Sequence, residues 1–254
     1  MNLLFIGDVV GNAGCLFLQA NLSKIKKDYN IDITVINGEN SAQGNGITKY
    51  SAQQIFTAGA DVITTGNHCF KRREALSIYD NDRIIRPANY PVGCVGKGIC
   101  TLDFGFCQIA ILNLSGTTYL DPLDNPFTMV ENMLSEISTP NIFLDFHAEA
   151  TAEKKAMGYF LAGKVTAVMG THTHVQTADE VILNDHTGYI TDVGMTGPEE
   201  SILGVSVKPA LDRFRFRFPT RFQEADTPCF LNGVIINFDE KCGKCTKITR
   251  LILR

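Results

Sequence analysis

Polar residues that could bind metal ions follow directly after short apolar runs at five places in the sequence. The five groups supply carboxylates, amides and imidazoles: Gly7-Asp8, Asn37-Gly38-Glu39-Asn40, Gly66-Asn67-His68, His147 and Thr171-His172-Thr173-His174. Four of the five histidines of the chain belong to these groups, and only His186 lies elsewhere. Buried polar groups without partners are costly, so this accumulation indicates a functional site rather than chance.

The mixture of donor types indicates the class of metal. Imidazole, carboxylate and amide oxygen without thiolate suit iron, manganese, zinc or cobalt, whereas an all-oxygen magnesium site would not need histidines. The candidate ligands are too many for one tetrahedral ion and divide naturally between two ions that share a carboxylate: Asp8, Glu39, Asn40, Asn67, His147, His172 and His174. We therefore predict a pair of divalent or mixed-valence ions, with iron or manganese favoured and zinc as an option.

The apolar runs before these groups have the length of strands that are buried on both faces. They are Leu3–Ile6, Ile33–Ile36, Val62–Thr64, Ile109–Leu112, Ile142–Leu144, Val165–Met169 and Tyr189–Ile190. Helix-like stretches separate several of them: Cys15–Tyr29, Tyr50–Ala58, Arg72–Asp80, Phe127–Ile137 and Thr151–Ala162. This alternation is typical of a layered α/β fold, in which ligands bind beyond the carboxyl ends of the strands. From about Phe230 to Leu253 the pattern becomes strand, turn and strand, so we expect an antiparallel end.

Composition sets the broad class. The chain has 254 residues, of which 44% are hydrophobic and 20% charged, and shows no repeat or linker, so we expect one domain over residues 1–254. A net charge of −4 argues against a long nucleic-acid groove. We see no signal peptide and no apolar run long enough to span a bilayer, so we expect a cytoplasmic homo-oligomer with no membrane contact and with reduced cysteines.

Two sequence features leave alternatives open. Cys242-Gly-Lys-Cys245 has the spacing of half a zinc site or of a redox pair, but its position after a strand favours a plain hairpin turn. The segment Arg213–Phe222 alternates arginine and phenylalanine. It could stack bases and contact phosphates. Strict alternation favours instead a half-buried strand with its phenylalanines inward and its arginines in solvent or at a subunit contact. A helix reaching Phe214 would weaken both interpretations.

The five motifs, in this order, resemble the calcineurin-like metallophosphoesterases, and longer stretches resemble their YmdB-like bacterial branch. These stretches are Phe5-Ile-Gly-Asp-Val-Val-Gly11, Asn37-Gly-Glu-Asn40, Arg86-Pro-Ala-Asn89, Asp145-Phe-His-Ala-Glu-Ala150, Gly170-Thr-His-Thr-His-Val-Gln-Thr-Ala-Asp179 and Ile190-Thr-Asp-Val-Gly-Met-Thr-Gly-Pro198. The similarity runs from residue 3 to about 252. The chain departs from the wider superfamily at Val9 and Val10, where a DxH motif is usual, and at Glu39, where an aspartate usually bridges the metals.

The resemblance implies a four-layer αββα sandwich with two mixed β-sheets, and it implies how the ligands divide. Asp8, Asn40 and His174 would hold one ion, Asn67, His147 and His172 would hold the other, and Glu39 would bridge the two. His68 would stay off the metals and act as a general acid.

The implied activity is hydrolysis of a small phosphodiester, namely a cyclic nucleotide, with 2′,3′-cyclic forms first and 3′,5′-cyclic forms as a further option. A hydroxide that bridges two metals would attack phosphorus. Two divalent ions, two carboxylates and this hydroxide sum to about +1, which a diester monoanion neutralises.

Other functions on the same residues stay open. The site could serve a phosphomonoesterase or an RNA-processing nuclease, or the chain could be a metal-binding regulatory protein that binds RNA. The complete ligand set, with His68 intact, favours an enzyme.

Overall fold

The first strand shows why the chain forms layers. In the computed structural model, which describes residues 1–254, β1 spans Asn2–Ile6 and four of its residues are fully buried. Leu3 and Phe5 point into one hydrophobic core, whereas Leu4 and Ile6 point into another. Successive side chains of a strand face opposite sides, so a strand that is apolar at every position must lie between two other layers.

Thirteen strands form two sheets. In chain order they are β1, β2 (Asp8–Val9), β3 (Ile33–Asn37), β4 (Val62–Thr64), β5 (Ile99–Asp103), β6 (Gln108–Ser115), β7 (Asn141–His147), β8 (Ala167–Thr171), β9 (Val181–Leu183), β10 (Thr187–Ile190), β11 (Met195–Pro198), β12 (Cys229–Asp239) and β13 (Lys244–Leu253). The first sheet has the order β2-β11-β12-β1-β3-β4, with β13 also paired to β12. The second has the order β5-β6-β7-β8-β10-β9. Both are mixed, since parallel pairs such as β1 with β3 and β7 with β8 coexist with antiparallel ones.

Five α-helices and one 3-10 helix complete the fold. They are α1 (Gly11–Asp28), α2 (Lys49–Ala58), the 3-10 helix (Arg73–Asp80), α3 (Pro126–Glu136), α4 (Thr151–Leu161) and α5 (Val207–Phe216). Capping side chains explain where two of these helices begin. The Thr48 hydroxyl accepts from the Ser51 amide at the start of α2, and Asn125 caps α3, which opens with Pro126.

Three hydrophobic cores separate four layers. One core lies between α1, α2 and the first sheet and includes Leu18 and Ile55. A second lies between the two sheets, where Phe143 meets Phe238 edge to face at 5.1 Å. The third lies between the second sheet and α3 and α4, and includes Met157. The predicted αββα sandwich with two mixed sheets is therefore confirmed. No helix is long and apolar enough to cross a membrane.

The C-terminal hairpin and its turn agree with the sequence prediction. β12 and β13 pair antiparallel, and Gly243, which has a positive φ of 72°, lies in the turn between them. Cys242 is exposed and Cys245 is buried, and both are free thiols. The interpretation of Cys242-Gly-Lys-Cys245 as a hairpin turn is confirmed.

The prediction of a half-buried strand at Arg213–Phe222 is wrong. Helix α5 continues through Phe216, and Arg217 ends it in the left-handed conformation with φ 60°. Pro209 lies in the first turn of the helix, where proline is tolerated, and Ala210 and Leu211, which follow it, are good helix formers. Lys208 also pairs with Asp212 one turn along. No strand lies beside the segment to pair with it, so the alternation does not define two faces, and the phenylalanines are exposed instead of buried.

Candidate metal centre

Glu39 lies at the middle of a cage of polar side chains at the carboxyl ends of the strands. It follows β3, its side chain is fully buried, and its Oε1 accepts from Asn40 Nδ2 at 2.9 Å. The same oxygen lies 3.1 Å from His68 Nδ1 and 3.3 Å from His147 Nε2. Its Oε2 accepts from the backbone N–H of His68 at 3.0 Å. One carboxylate therefore contacts residues from three strand ends.

One group of donors lies on the side of Glu39 towards β7 and β8. Nε2 of His147 is 3.0 Å from Asn67 Oδ1 and 3.0 Å from His172 Nδ1. Donor atoms of Glu39, His147 and His172 all lie within 4.8 Å of one another, as a shared metal ion requires. The structure thus brings together Glu39, Asn67, His147 and His172.

A second group of donors lies around Asp8, next to α1. Nε2 of His174 is 3.6 Å from Asp8 Oδ1 and 3.2 Å from Asn40 Nδ2. Asn40 Nδ2 also lies 3.5 Å from Asp8 Oδ1. All eight residues singled out in the sequence, His68 included, are therefore neighbours in space, and Glu39 contacts both groups directly or through Asn40.

The cage is packed so closely that one position must be glycine. A Cβ atom at Gly66 would lie 2.2 Å from His147 Cδ2 and 2.4 Å from Glu39 Oε2. Both neighbours are fully buried and cannot move aside. The glycine of Gly66-Asn67-His68 is thus needed for the approach of these two side chains.

Charge within the polypeptide favours ionised carboxylates in the cage. Burial would raise the pKa of Asp8, but the hydrogen bond and the charge of His174 outweigh it and hold that pKa below its ordinary value. Burial is likewise outweighed at Glu39, where His147 and His68 hold the pKa well below its ordinary value. Burial lowers the pKa of His147, but Glu39 raises it to about 9 overall. Two buried anions of this kind provide a strong site for cations.

A buried network behind the cage orients His147. Nδ1 of His147 is 2.9 Å from the Thr171 hydroxyl, which donates to Asp145 Oδ1 at 2.7 Å. Asp145 also accepts from Asn37 Nδ2 at 2.9 Å and from Thr64. Burial raises the pKa of Asp145 to about 7. Because Nδ1 is occupied by this network, Nε2 of His147 faces the cage.

The loop that carries His172 and His174 is strained and is held by a buried ion pair. Both histidines have positive φ angles, 101° and 64°, which cost of order 1–3 kcal/mol each for residues other than glycine. Between them, Thr173 donates to Asp192 Oδ2 from its N–H at 3.0 Å and from its hydroxyl at 2.7 Å. The same oxygen accepts from Lys154 Nζ at 2.7 Å, and neither ionic side chain is more than 1% exposed.

Glu149 is a further residue of the site. Its Oε2 lies 3.0 Å from His172 Nε2, so that Nδ1 of His172 is the ring atom that faces His147. Sequence reasoning assigned no role to Glu149, Asp145, Lys154 or Asp192. A signal was available for Asp145, because it is an ionisable residue inside an otherwise apolar strand.

The fold and the cage define the class of protein. Two mixed sheets between helices, with oxygen and nitrogen donors at the strand ends, are the architecture of a calcineurin-like phosphoesterase. A solved calcineurin-like phosphoesterase, YfkN from Bacillus subtilis, has the same fold with a TM-score of 0.57 at 10% identity, over 100% of this chain and 90% of that one. Similar proteins over the whole length of the chain are named phosphodiesterases or phosphatases, and the protein is a phosphoester hydrolase like them.

Within this class, the chain belongs to the YmdB-like protein family, whose profile matches residues 4–251. It is 44% identical to the 2′,3′-cyclic-nucleotide 2′-phosphodiesterase of Bacillus subtilis strain 168, over 100% of this chain and 97% of that relative. A crystal structure of a phosphatase from Mycoplasma pneumoniae superimposes with a TM-score of 0.95 at 31% identity, and covers 100% of this chain and 93% of that one. The resemblance found in the sequence is thereby confirmed.

The buried pair gives a stability prediction. Replacing Lys154 with methionine leaves the Asp192 carboxylate buried without a cation, which costs about 3–5 kcal/mol of the free energy of unfolding. Lys155→Met is the matched control, since Lys155 is 55% exposed and its ion pair with Asp179 contributes at most about 1 kcal/mol. Urea denaturation of the two variants and the parent measures the difference.

Adding Asp192→Asn to Lys154→Met should recover part of the loss, because the double variant has no buried charge at this place. If Lys154→Met is no less stable than Lys155→Met, the buried pair does not hold the histidine loop.

Proposed function

We propose that the chain is a phosphodiesterase that hydrolyses cyclic nucleotides at a dinuclear metal centre, with 2′,3′-cyclic forms as the first substrates to test. The observation that carries the proposal is the shared position of Glu39 between two groups of donors. The 44% identity to a relative of that activity, over the whole chain, supports the choice of substrate.

The donor set fits two metal ions. Asp8, Asn40 and His174 would hold one ion and Asn67, His147 and His172 the other, with Glu39 shared. When bound, the ions supply an activated water and neutralise charge on the phosphate oxygens. The oxygen and imidazole donors favour iron or manganese over an all-oxygen magnesium site.

Asn40 needs one adjustment to fill this role. Its Nδ2 faces Glu39 and Asp8, whereas its Oδ1 lies 3.1 Å from His68 Nδ1. Only the oxygen of an amide can bind a cation, so the Asn40 side chain must rotate by half a turn about its terminal bond. The rotation exchanges two atoms of similar size and needs no movement of the backbone.

His68 is placed to act on the substrate. Its Nδ1 contacts Glu39 and Asn40, its Nε2 makes no hydrogen bond within the protein, and its side chain is 24% exposed. An alkoxide is a poor leaving group, so a proton donated from Nε2 to the departing ribose oxygen assists the cleavage.

A panel of substrates tests the activity itself. The purified protein, loaded separately with manganese, iron and zinc, should hydrolyse 2′,3′-cyclic AMP to a single nucleoside monophosphate and leave that product intact. Assays of 3′,5′-cyclic AMP and of AMP isomers, followed by chromatography, separate the candidate activities. Rapid hydrolysis of the monoesters together with inert cyclic nucleotides would replace the proposal by a phosphomonoesterase.

Glu39→Gln tests the bridging role. A neutral amide should weaken both ions, so elemental analysis should show reduced occupancy of both. Glu131→Gln on the exposed face of α3 is the matched control and should bind both ions like the parent. Loss of a single ion from Glu39→Gln would show that Glu39 does not bridge.

His68→Ala tests the acid role. The variant should keep both metals and lose about 10²–10⁴-fold in kcat on a cyclic nucleotide. A nitrophenyl diester, whose leaving group needs no proton, should be hydrolysed almost as well as by the parent. His186→Ala, outside the cage, is the control. Equal losses on both substrates would contradict an acid role, and loss of a metal would make His68 a ligand.

A further inference from the structure

The segment Arg213–Phe222 exposes an unusual amount of aromatic surface. Phe214, Phe216, Phe218 and Phe222 are between 48% and 66% exposed. In α5 only Ala210 is buried, so the helix uses little of its surface to pack on the fold. Exposed aromatic rings in a cluster indicate a binding surface rather than a core.

Two of these rings form a stacked platform with an arginine. The ring centroids of Phe216 and Phe218 are 5.3 Å apart and their planes differ by 23°. The guanidinium of Arg215 lies 4.9 Å from the centroid of Phe216. Nη1 of Arg213 donates to the carbonyls of Arg217 and Phe218 at 3.4 Å and holds the turn that brings the rings together. Helix α5 removes the alternation on which the base-stacking interpretation of the sequence relied. The exposed, stacked rings are independent evidence, because such platforms stack the bases of single-stranded nucleic acids.

The charge of Arg213–Phe222 indicates the kind of molecule that this segment binds. The ten residues contain four arginines and no acidic residue, in a chain whose net charge is −4. The complement of this segment is a flexible polyanion that also has flat apolar faces. A single strand of nucleic acid combines both properties.

The segment is connected to the cage by a short path. Glu224 follows Phe222 by two residues, so the two residues are at most about 7 Å apart. The Glu224 carboxylate accepts a hydrogen bond of 2.9 Å from the N–H of Ala13, which lies at the start of α1. The neighbouring Gly11 N–H donates to the carbonyl of Asn40 at 2.9 Å. A cavity of about 720 Å³ lies along this path, and Ser41, Tyr50, Gln54 and Glu224 are among its lining residues. That volume suits a nucleotide-sized group.

We propose that Arg213–Phe222 binds the single-stranded tail of an RNA whose 3′ end carries the 2′,3′-cyclic phosphate hydrolysed in the cage. This inference rests on the proposed function. A 2′,3′-cyclic phosphate forms when the 2′-oxygen of RNA attacks the adjacent phosphodiester and expels the 5′-oxygen of the next nucleotide, so the group arises at RNA 3′ ends. Hydrolysis then adds water oxygen to phosphorus, breaks the bond to the 2′-oxygen and protonates that oxygen, which leaves a 3′-phosphate.

The test compares a short with a long substrate. The metal-loaded protein is assayed on 2′,3′-cyclic AMP and on an RNA octamer that ends in a 2′,3′-cyclic phosphate. The double variant Phe216→Ala/Phe218→Ala should lose about 10- to 100-fold in kcat/KM on the octamer and keep the parent's kcat and KM on the mononucleotide. The matched control is Phe104→Ala/Phe106→Ala, which removes two exposed rings from another turn and should change neither value.

A binding measurement separates this inference from the proposed function. Fluorescence anisotropy with an octamer ending in a 3′-hydroxyl requires no catalysis, so it tests the segment even if no cyclic nucleotide is hydrolysed. The phenylalanine variant and a second variant, Arg215→Gln/Arg221→Gln, should bind about 10-fold or more weakly than the parent, and the arginine variant should show a smaller dependence on salt.

Three results would overturn the inference. One is unchanged octamer binding in both variants, and another is an equal loss of activity on octamer and mononucleotide. The third is a change in sedimentation of the phenylalanine variant without any change in octamer binding, which would assign the surface to contact between copies of the chain.

Discussion

The site depends on the burial of the Glu39 carboxylate. Removing an unpaired carboxylate from water costs several kcal/mol, so a buried one must be surrounded by cations or strong donors. No lysine or arginine contacts Glu39, and its neighbours are His68, His147 and Asn40. A second buried carboxylate, Asp8, lies close to the same group. The fold therefore concentrates negative charge where only imidazoles, and the metals they would bind, can balance it.

A buried lysine behind the histidine loop is paired within the protein and not with the carboxylates of the cage. Lys154 is buried behind the histidine loop and pairs with Asp192 at 2.7 Å. This pairing has two consequences. Asp192 holds Thr173 and so maintains the strained conformations of His172 and His174. Asp192 also neutralises the charge of Lys154, so that this charge does not pair with Asp8 or Glu39. A free ammonium beside those carboxylates would compete with a metal ion for the same place.

The sequence predicts the structure best where a rule depends only on residues that are close together in the chain. Short apolar runs predict buried strands, and residues that follow parallel strands of one sheet lie at the same edge of that sheet. This rule groups the cage residues of the first sheet with one another (Asp8, Glu39, Asn40, Asn67 and His68) and those of the second sheet with one another (His147, His172 and His174), whereas the meeting of the two sets depends on how the sheets pack. Contacts that depend on how elements pack could not be predicted. The pair of Lys154 on α4 and Asp192 after β10 joins residues 38 positions apart. Arg213–Phe222 was misjudged because alternation suits a strand only where a partner strand exists, and none lies beside α5.

The cage and the exposed aromatic segment would contribute to different kinetic quantities. Groups that contact the reacting phosphate can stabilise the transition state more than the ground state, and so affect kcat. A nucleotide tail bound at Arg213–Phe222 would be bound equally in both states, so its contacts would lower KM and leave the chemical step unchanged. Selection of RNA ends over free cyclic nucleotides would then require no change in the cage. A chain with net charge −4 can make this selection with one basic segment, because a few stacked bases and phosphate contacts are enough to hold a short tail.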